Sequence, residues 1–169
     1  IGIAHDQAFG FYYSEDPDTL RAANVELVEL DTLNTQALPD VDGLIIGGGF
    51  PEMFMAELEA NALLRTQICR AIEAGLPTYA ECGGLMYLAR SLTVAGQTSR
   101  MVGAIPGDVV MRERPVGRGY VVLEETDAFL WPTAGGGRTV RAHEFHYASL
   151  ENLPTDVRCA YVVKRGHGI

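Results

Sequence analysis

The chain has 169 residues, of which 47% are hydrophobic and 21% charged, so it can bury a core and a wholly disordered chain is excluded. Twenty-two acidic residues against 13 basic ones leave a formal charge of −9. That balance argues against a general nucleic-acid binder and against attachment to anionic lipid, both of which reward lysine and arginine.

The length is that of one domain, and residues 1–169 are read as one. Ile1-Gly2-Ile3-Ala4 opens a strand. Asp16-Pro17 reads as an N-cap followed by proline at the first helical position, with the helix running to about Ala23. Val25 to Leu30 is β-prone, and Asp42 to Gly47 is a short apolar run of the kind buried on both faces of a sheet. Asn61 to Ala74 is a helix with Leu64, Ile68, Ala71 and Ile72 on one face and Gly75 past its end. Leu76 to Glu81 is the next strand, and Gly83 to Ala89 begins a further helix. Strands alternating with helices predict a parallel sheet. After residue 100 the pattern turns to strands, at Gly103–Met111, Gly119–Glu124, Thr139–Ala148 and Arg158–Lys164, so the parallel layer is extended by antiparallel strands. Gly135-Gly136-Gly137 reads as a surface loop.

No apolar run reaches the roughly 18–20 residues a membrane helix needs, and Ile1-Gly2-Ile3-Ala4 has no basic flank of a secretory signal. The chain begins without methionine, as a processed chain or an excised domain would. Cys69, Cys82 and Cys159 are odd in number and widely spaced, which fits free thiols in a reducing cytosol and neither a disulfide framework nor a zinc ribbon.

The strongest local signal is Glu81-Cys82-Gly83-Gly84. A cysteine between a buried strand and a helix is presented at the carboxyl edge of the sheet, and small residues after it let the backbone pass close by. A helix start beneath the sulfur favours thiolate, and the next backbone N–H is placed to hold an oxyanion. The turn alone would equally suit a small buried hydrophobe. Cys69, in mid-helix, and Cys159, in a late strand, read as filler.

Gly47-Gly48-Gly49-Phe50-Pro51-Glu52 follows the strand at 42–47 and can form an anion nest of backbone amides. It lacks the lysine and hydroxyl of a phosphate-binding P-loop. In Arg141 to Tyr147, the two-residue period puts Glu144 and His146 on one face and His143, Phe145 and Tyr147 on the other. His146 could take the Cys82 proton with Glu144 orienting its ring; His143 is the other candidate base. The two histidines on opposite faces do not suggest a metal site. His5 lies past the first strand, at the same sheet edge. Phe9, Phe11, Tyr12 and Tyr13 are read first as core, and otherwise as the walls of a flat ligand's pocket, while His167 has no argued role.

Ala80 to Leu88, Gly47 to Glu52, His143 to Tyr147 and Ala8 to Tyr13 together, in the right order along nearly the whole chain, resemble the glutamine amidotransferase domain of cobyrinic (or hydrogenobyrinic) acid a,c-diamide synthases. The resemblance implies an α/β, flavodoxin-like class I amidotransferase fold with a mostly parallel sheet and an antiparallel extension. It implies that Cys82 attacks the carboxamide of L-glutamine, that His146 shuttles the proton, and that backbone N–H groups around Gly48, Gly49 and Gly83 form the oxyanion hole. It further implies a tetrapyrrole carboxylate as the ammonia acceptor, an ATP-binding domain with ATP and Mg preceding this one, a cofactor-free glutaminase half with a trimmed C-terminus, a cytoplasmic location and room for a homodimer. Two features depart from the family pattern: ordinary class I members carry a glutamate two residues after the histidine, whereas here Ala148 and Ser149 come after His146 and Glu144 precedes it, and the family's ATP-binding half is missing from this sequence. Glu144 as third member and a Cys82–His146 dyad are both open. Sirohaem-type amidases share the architecture, and a stand-alone cysteine hydrolase or redox sensor, or a non-catalytic binding domain, are the competing readings.

Overall fold

A computed structural model describes residues 1–129 and 137–166. Gly135, Gly136 and His167 lie outside the described residues. The chain divides into two compact units, residues 1–109 and 110–169.

The first unit begins with β1 (Gly2–Ala4), a short β2 (Phe9–Phe11), α1 (Glu15–Ala22), β3 (Val28–Leu30), β4 (Leu44–Ile46) and β5 (Gly48–Gly49). A single 3-10 turn (Pro51–Met53) leads into α2 (Met55–Ala60), α3 (Ala62–Glu73), β6 (Thr78–Ala80) and α4 (Gly83–Leu88). The strands β7 (Ala89–Val94), β8 (Gln97–Arg100) and β9 (Ile105–Met111) follow. The parallel sheet has the order β3-β1-β4-β6. Its central strands are buried apolar runs, with Ile3, Ala4, Leu44 and Ile46 at 5% exposure or less. Because β3 lies on one side of β1 and β4 on the other, the winding direction reverses between β1 and β4. Open α/β sheets bind ligands beyond the carboxyl ends of the strands at such a point.

Asn61 caps α3, its side-chain oxygen accepting from the Leu64 N–H at 3.4 Å, and Leu64 and Ile68 are fully buried. Each such side chain contributes about 1.5–3 kcal/mol. The Arg65 guanidinium donates to the carbonyls of Leu58, Glu59 and Met101 and ties α2 and the segment just after β8 to α3. Asp6 does the same past β1: its carboxylate accepts from the N–H groups of Ala8, Phe9 and Thr32.

Several elements differ from the sequence expectation. The first helix begins at Glu15 after Ser14, with Asp16 and Pro17 inside its first turn, where a missing N–H is harmless. Val25 closes the end of α1, its N–H bonded to the Leu20 carbonyl beside a left-handed Asn24, so β3 starts only at Val28. The helix at Gly83 stops after six residues, and the change to antiparallel strands comes at Ala89 rather than near 100. Ala95 and Gly96 both have positive φ, the pair of conformations that a two-residue hairpin loop requires.

Tyr87, on α4, is fully buried against Phe9, and its hydroxyl has no hydrogen-bond partner among the described residues. Burial pushes its ionisation far above the ordinary tyrosine value. The folded state therefore holds this proton where the unfolded chain releases it, and stability falls as pH rises through about 10. Tyr87→Phe is expected to raise stability by about 1 kcal/mol and to flatten that alkaline decline, measured by urea unfolding at neutral and alkaline pH.

The second unit holds β10 (Gly117–Glu125), β11 (Thr139–His146), β12 (Ala148–Glu151) and β13 (Tyr161–Arg165). An antiparallel sheet of order β11-β10-β13 forms its body. β12 is tied back through Arg112, whose N–H donates to the Tyr147 carbonyl at 2.8 Å and whose guanidinium pairs with Glu151. The late strand expected from Arg158 begins at Tyr161, so Cys159 sits in an exposed approach segment instead of in a strand. Its carbonyl accepts from the Thr126 hydroxyl.

Candidate functional site

Cys82 follows β6 and is the residue before the first turn of α4. Its backbone stands at φ 51°, ψ −113°, a conformation that L-residues adopt at a cost of about 1–3 kcal/mol and that occurs at nucleophile turns. The side chain is exposed. The turn is held by the Glu81 N–H on the Ile46 carbonyl and by the Gly84 N–H shared between the Gly47 and Glu81 carbonyls. These bonds lay the Cys82 turn against the glycine turn that follows β4.

The close approach leaves no room for side chains. A Cβ at Gly84 would lie 2.0 Å from the Ile46 carbonyl oxygen, and one at Gly49 would lie 1.9 Å from that of Ala8. A Cβ at Gly83 would meet Pro51 Cδ at 2.9 Å and Gly49 N at 3.0 Å. At Gly48 the neighbours are Phe11 Cβ at 3.3 Å and Cys82 Cβ at 3.9 Å. Gly48, Gly49 and Gly83 are thus brought around Cys82 as a set. The Phe50 N–H donates to the Ala8 carbonyl, and β5 pairs with β2, so the Gly-Gly-Gly turn is a built wall rather than a loose loop.

The aromatic segment divides. Phe9 alone joins the core; Phe11 and Tyr13 are exposed, and Phe11 stacks edge-on against the exposed Phe50 at 5.0 Å. Tyr12 is half-buried, donating to the Ala4 carbonyl at 2.7 Å and accepting from the Gly47 N–H at 2.9 Å. Burial raises its ionisation, so it stays a neutral strut for the turn. His5 pairs with Glu29 at 3.5 Å on the surface. Cys69 lies mid-helix with its thiol 3.7 Å from Glu73; burial, and then that carboxylate, push it away from thiolate.

In the second unit, β11 keeps the expected alternation: Glu144 and His146 are half-buried on one face, while His143, Phe145 and Tyr147 are exposed on the other. His146 Nδ1 lies 2.7 Å from the Ala148 carbonyl oxygen. A carbonyl only accepts, so Nδ1 carries a proton and the neutral ring has its lone pair on Nε2. Nε2 is buried and without a hydrogen-bond partner among the described residues. Glu144 Oε2 lies 3.5 Å from Nε2, not at Nδ1. The group that fixes the ring is therefore a backbone carbonyl two residues on.

Sequence reasoning missed Gly117. It stands opposite His146 in the β10–β11 ladder, and a Cβ there would fall 2.1 Å from Nε2. The imidazole occupies the space a side chain would take. Its only signal in the sequence is a glycine in an otherwise β-prone run, the mark of a close approach. Among the described residues no three His, Cys, Asp or Glu side chains are grouped to hold a metal ion, and no helix is long and apolar enough to cross a membrane.

The chain matches the CobB/CobQ-like glutamine amidotransferase domain over residues 1–168. It is 46% identical over its whole length to a cobyrinate a,c-diamide synthase of Magnetococcus marinus and 41% identical to one of Methanosarcina acetivorans. It spans 36% of the length of each of these curated relatives. A solved structure described as a glutamine amidotransferase superposes with a TM-score of 0.63 at 17% identity, covering 95% of this chain and 78% of that one. That likeness shows the shared α/β fold, with its parallel sheet and added antiparallel sheets. The chain belongs to the CobB/CobQ-like glutamine amidotransferase family.

Proposed function

We propose that these 169 residues are the glutamine-hydrolysing part of a longer, ATP-dependent amide ligase that converts carboxylates of cobyrinate, or hydrogenobyrinate, to amides. The observation that carries this reading is the exposed Cys82 in a strained strand-to-helix turn, walled by Gly48, Gly49 and Gly83. Cys82 Sγ attacks the carboxamide carbon of L-glutamine, forming a carbon–sulfur bond and an oxyanion. Backbone N–H groups of the glycine turns stabilise that oxygen. His146 accepts the thiol proton at Nε2 and passes it to the leaving ammonia, which departs from a γ-glutamyl thioester. Water, deprotonated by the same nitrogen, then releases glutamate and restores the thiol.

The Ala148 carbonyl keeps the ring in the tautomer that can act as base. Glu144, 3.5 Å from Nε2, stabilises the imidazolium that exists between the two proton transfers. ATP and Mg belong to the remainder of the protein, where ATP activates the carboxylate that ammonia attacks. The relatives' greater length supports such a further domain.

The test is to supply the full-length protein with cobyrinate, ATP, Mg and glutamine labelled with heavy nitrogen in its amide. The label is expected in the side-chain amides of the macrocycle. Glutamine hydrolysis that proceeds equally without cobyrinate and ATP, with no label transferred, would point to a stand-alone hydrolase; transfer to a sirohaem-type acid but not to cobyrinate would reassign the acceptor.

A further inference from the structure

The β11-β10-β13 sheet has two unlike faces. His146 and Glu144 lie on one. The other carries Arg118, Tyr120, Arg141, His143, Phe145 and Val162, all exposed, with Tyr120 at 86% and Phe145 at 56%. The ladder sets these side chains in rows: Arg118 lies opposite Phe145, and Tyr120 opposite His143, whose rings meet edge-on at 5.4 Å. Neither Arg118 nor Arg141 pairs with an acid among the described residues. The chain as a whole carries a charge of −9, so a face of aromatics and unpaired arginines is out of keeping with its composition. Aromatic and arginine side chains together are the enriched anchors of protein interfaces.

We propose that this outer face docks the ATP-binding domain of the longer protein, through apolar anchors ringed by carboxylates that meet Arg118 and Arg141. The proposal rests on the functional reading above for the occupant's identity. Three observations favour that occupant. The relatives extend well beyond the region that this chain matches, so a covalently attached body is at hand. The unpaired arginines ask for an acidic complement. A second copy of this chain fits poorly, since two-fold pairing would present this same face, whose acid among the described residues, Glu124, is already paired with Lys164 and leaves the arginines no free carboxylate to meet. The arrangement also has a consequence for the chemistry. Phe145 is the neighbour of both Glu144 and His146 on β11, so a body seated on the outer face steadies the strand that holds the base on the inner one.

The test replaces Tyr120 with the photoreactive p-benzoylphenylalanine in the full-length protein. After irradiation and proteolysis, residue 120 is expected to be joined to peptides of the same molecule outside these 169 residues. Cross-links only within the 169 residues, only between a heavy-isotope and a light copy, or none at all, would overturn the proposal. This readout is independent of Cys82 chemistry, so its failure is separable from failure of the functional reading. In a second arm, Arg118→Glu with Arg141→Glu is expected to cut glutamine-dependent amidation about tenfold and leave ammonia-dependent amidation intact; unchanged coupling would count against the docking.

Discussion

Cys82→Ala in the full-length protein is expected to abolish glutamine-dependent amide formation, a loss of at least about a thousandfold, while ammonia supplied as a salt still supports it. The split follows from the division of labour. Without a sulfur nucleophile, neither the tetrahedral adduct nor the thioester forms, and the glycine walls have no oxyanion to hold. In the proposed division of labour, activation of the acceptor carboxylate makes no use of this turn. Alanine also suits the site sterically: the Cys82 side chain is exposed, and its Cβ stays where it is, 3.9 Å from the point a Gly48 Cβ would occupy. Loss of the ammonia reaction as well would mean that Cys82 serves more than glutamine. Cys69→Ala and Cys159→Ala are expected to keep both activities.

Gly117→Ala is the second large effect. The added methyl would sit 2.1 Å from His146 Nε2, so the ring must retreat by roughly 1 Å, and either the Nδ1 bond to Ala148 or the reach of Nε2 is lost. A misplacement of that size costs about a hundredfold in rate. The expected result is such a fall in kcat/KM for glutamine with ammonia-dependent amidation unchanged. Nitrogen NMR of the imidazole should show loss of the Nδ1–H tautomer. A folded Gly117→Ala protein with normal glutaminase activity and the wild-type tautomer would show that Gly117 does not position the base. Gly117 acts through His146 and touches no substrate in this account; it is a positioning residue.

What could be read from the sequence depended on how local its cause was. The Cys82 turn was legible because Glu81-Cys82-Gly83-Gly84 states its own constraint: a nucleophile followed by residues without side chains. The two faces of β11 were legible because strand alternation needs no partner. Phe11 and Tyr13 were misplaced because an aromatic cluster near a strand resembles core until the sheet's other layer is known. The early switch to a hairpin at Ala89 was hidden by Ala95, whose positive φ no propensity favours. Gly117 and the Ala148 carbonyl were beyond reach for a different reason. Their roles come from ladder register and from a backbone atom: a glycine at 117 marks a close approach without saying which side chain approaches, and a carbonyl leaves no residue-type signature.

In the proposed mechanism, the Ala148 carbonyl at Nδ1 does the orienting for which the sequence offered Glu144. A carbonyl selects the same tautomer that a carboxylate would, without adding charge at that end of the ring. Glu144 lies on the other side of the ring, 3.5 Å from Nε2.

The most direct measurement is mass spectrometry of the full-length protein quenched with acid during turnover of glutamine. One γ-glutamyl group is expected, held as a thioester on the peptide that contains Cys82 and absent from Cys82→Ala. A γ-glutamyl group on another residue, or glutamine turnover unaffected by Cys82→Ala, would contradict Cys82 as the nucleophile.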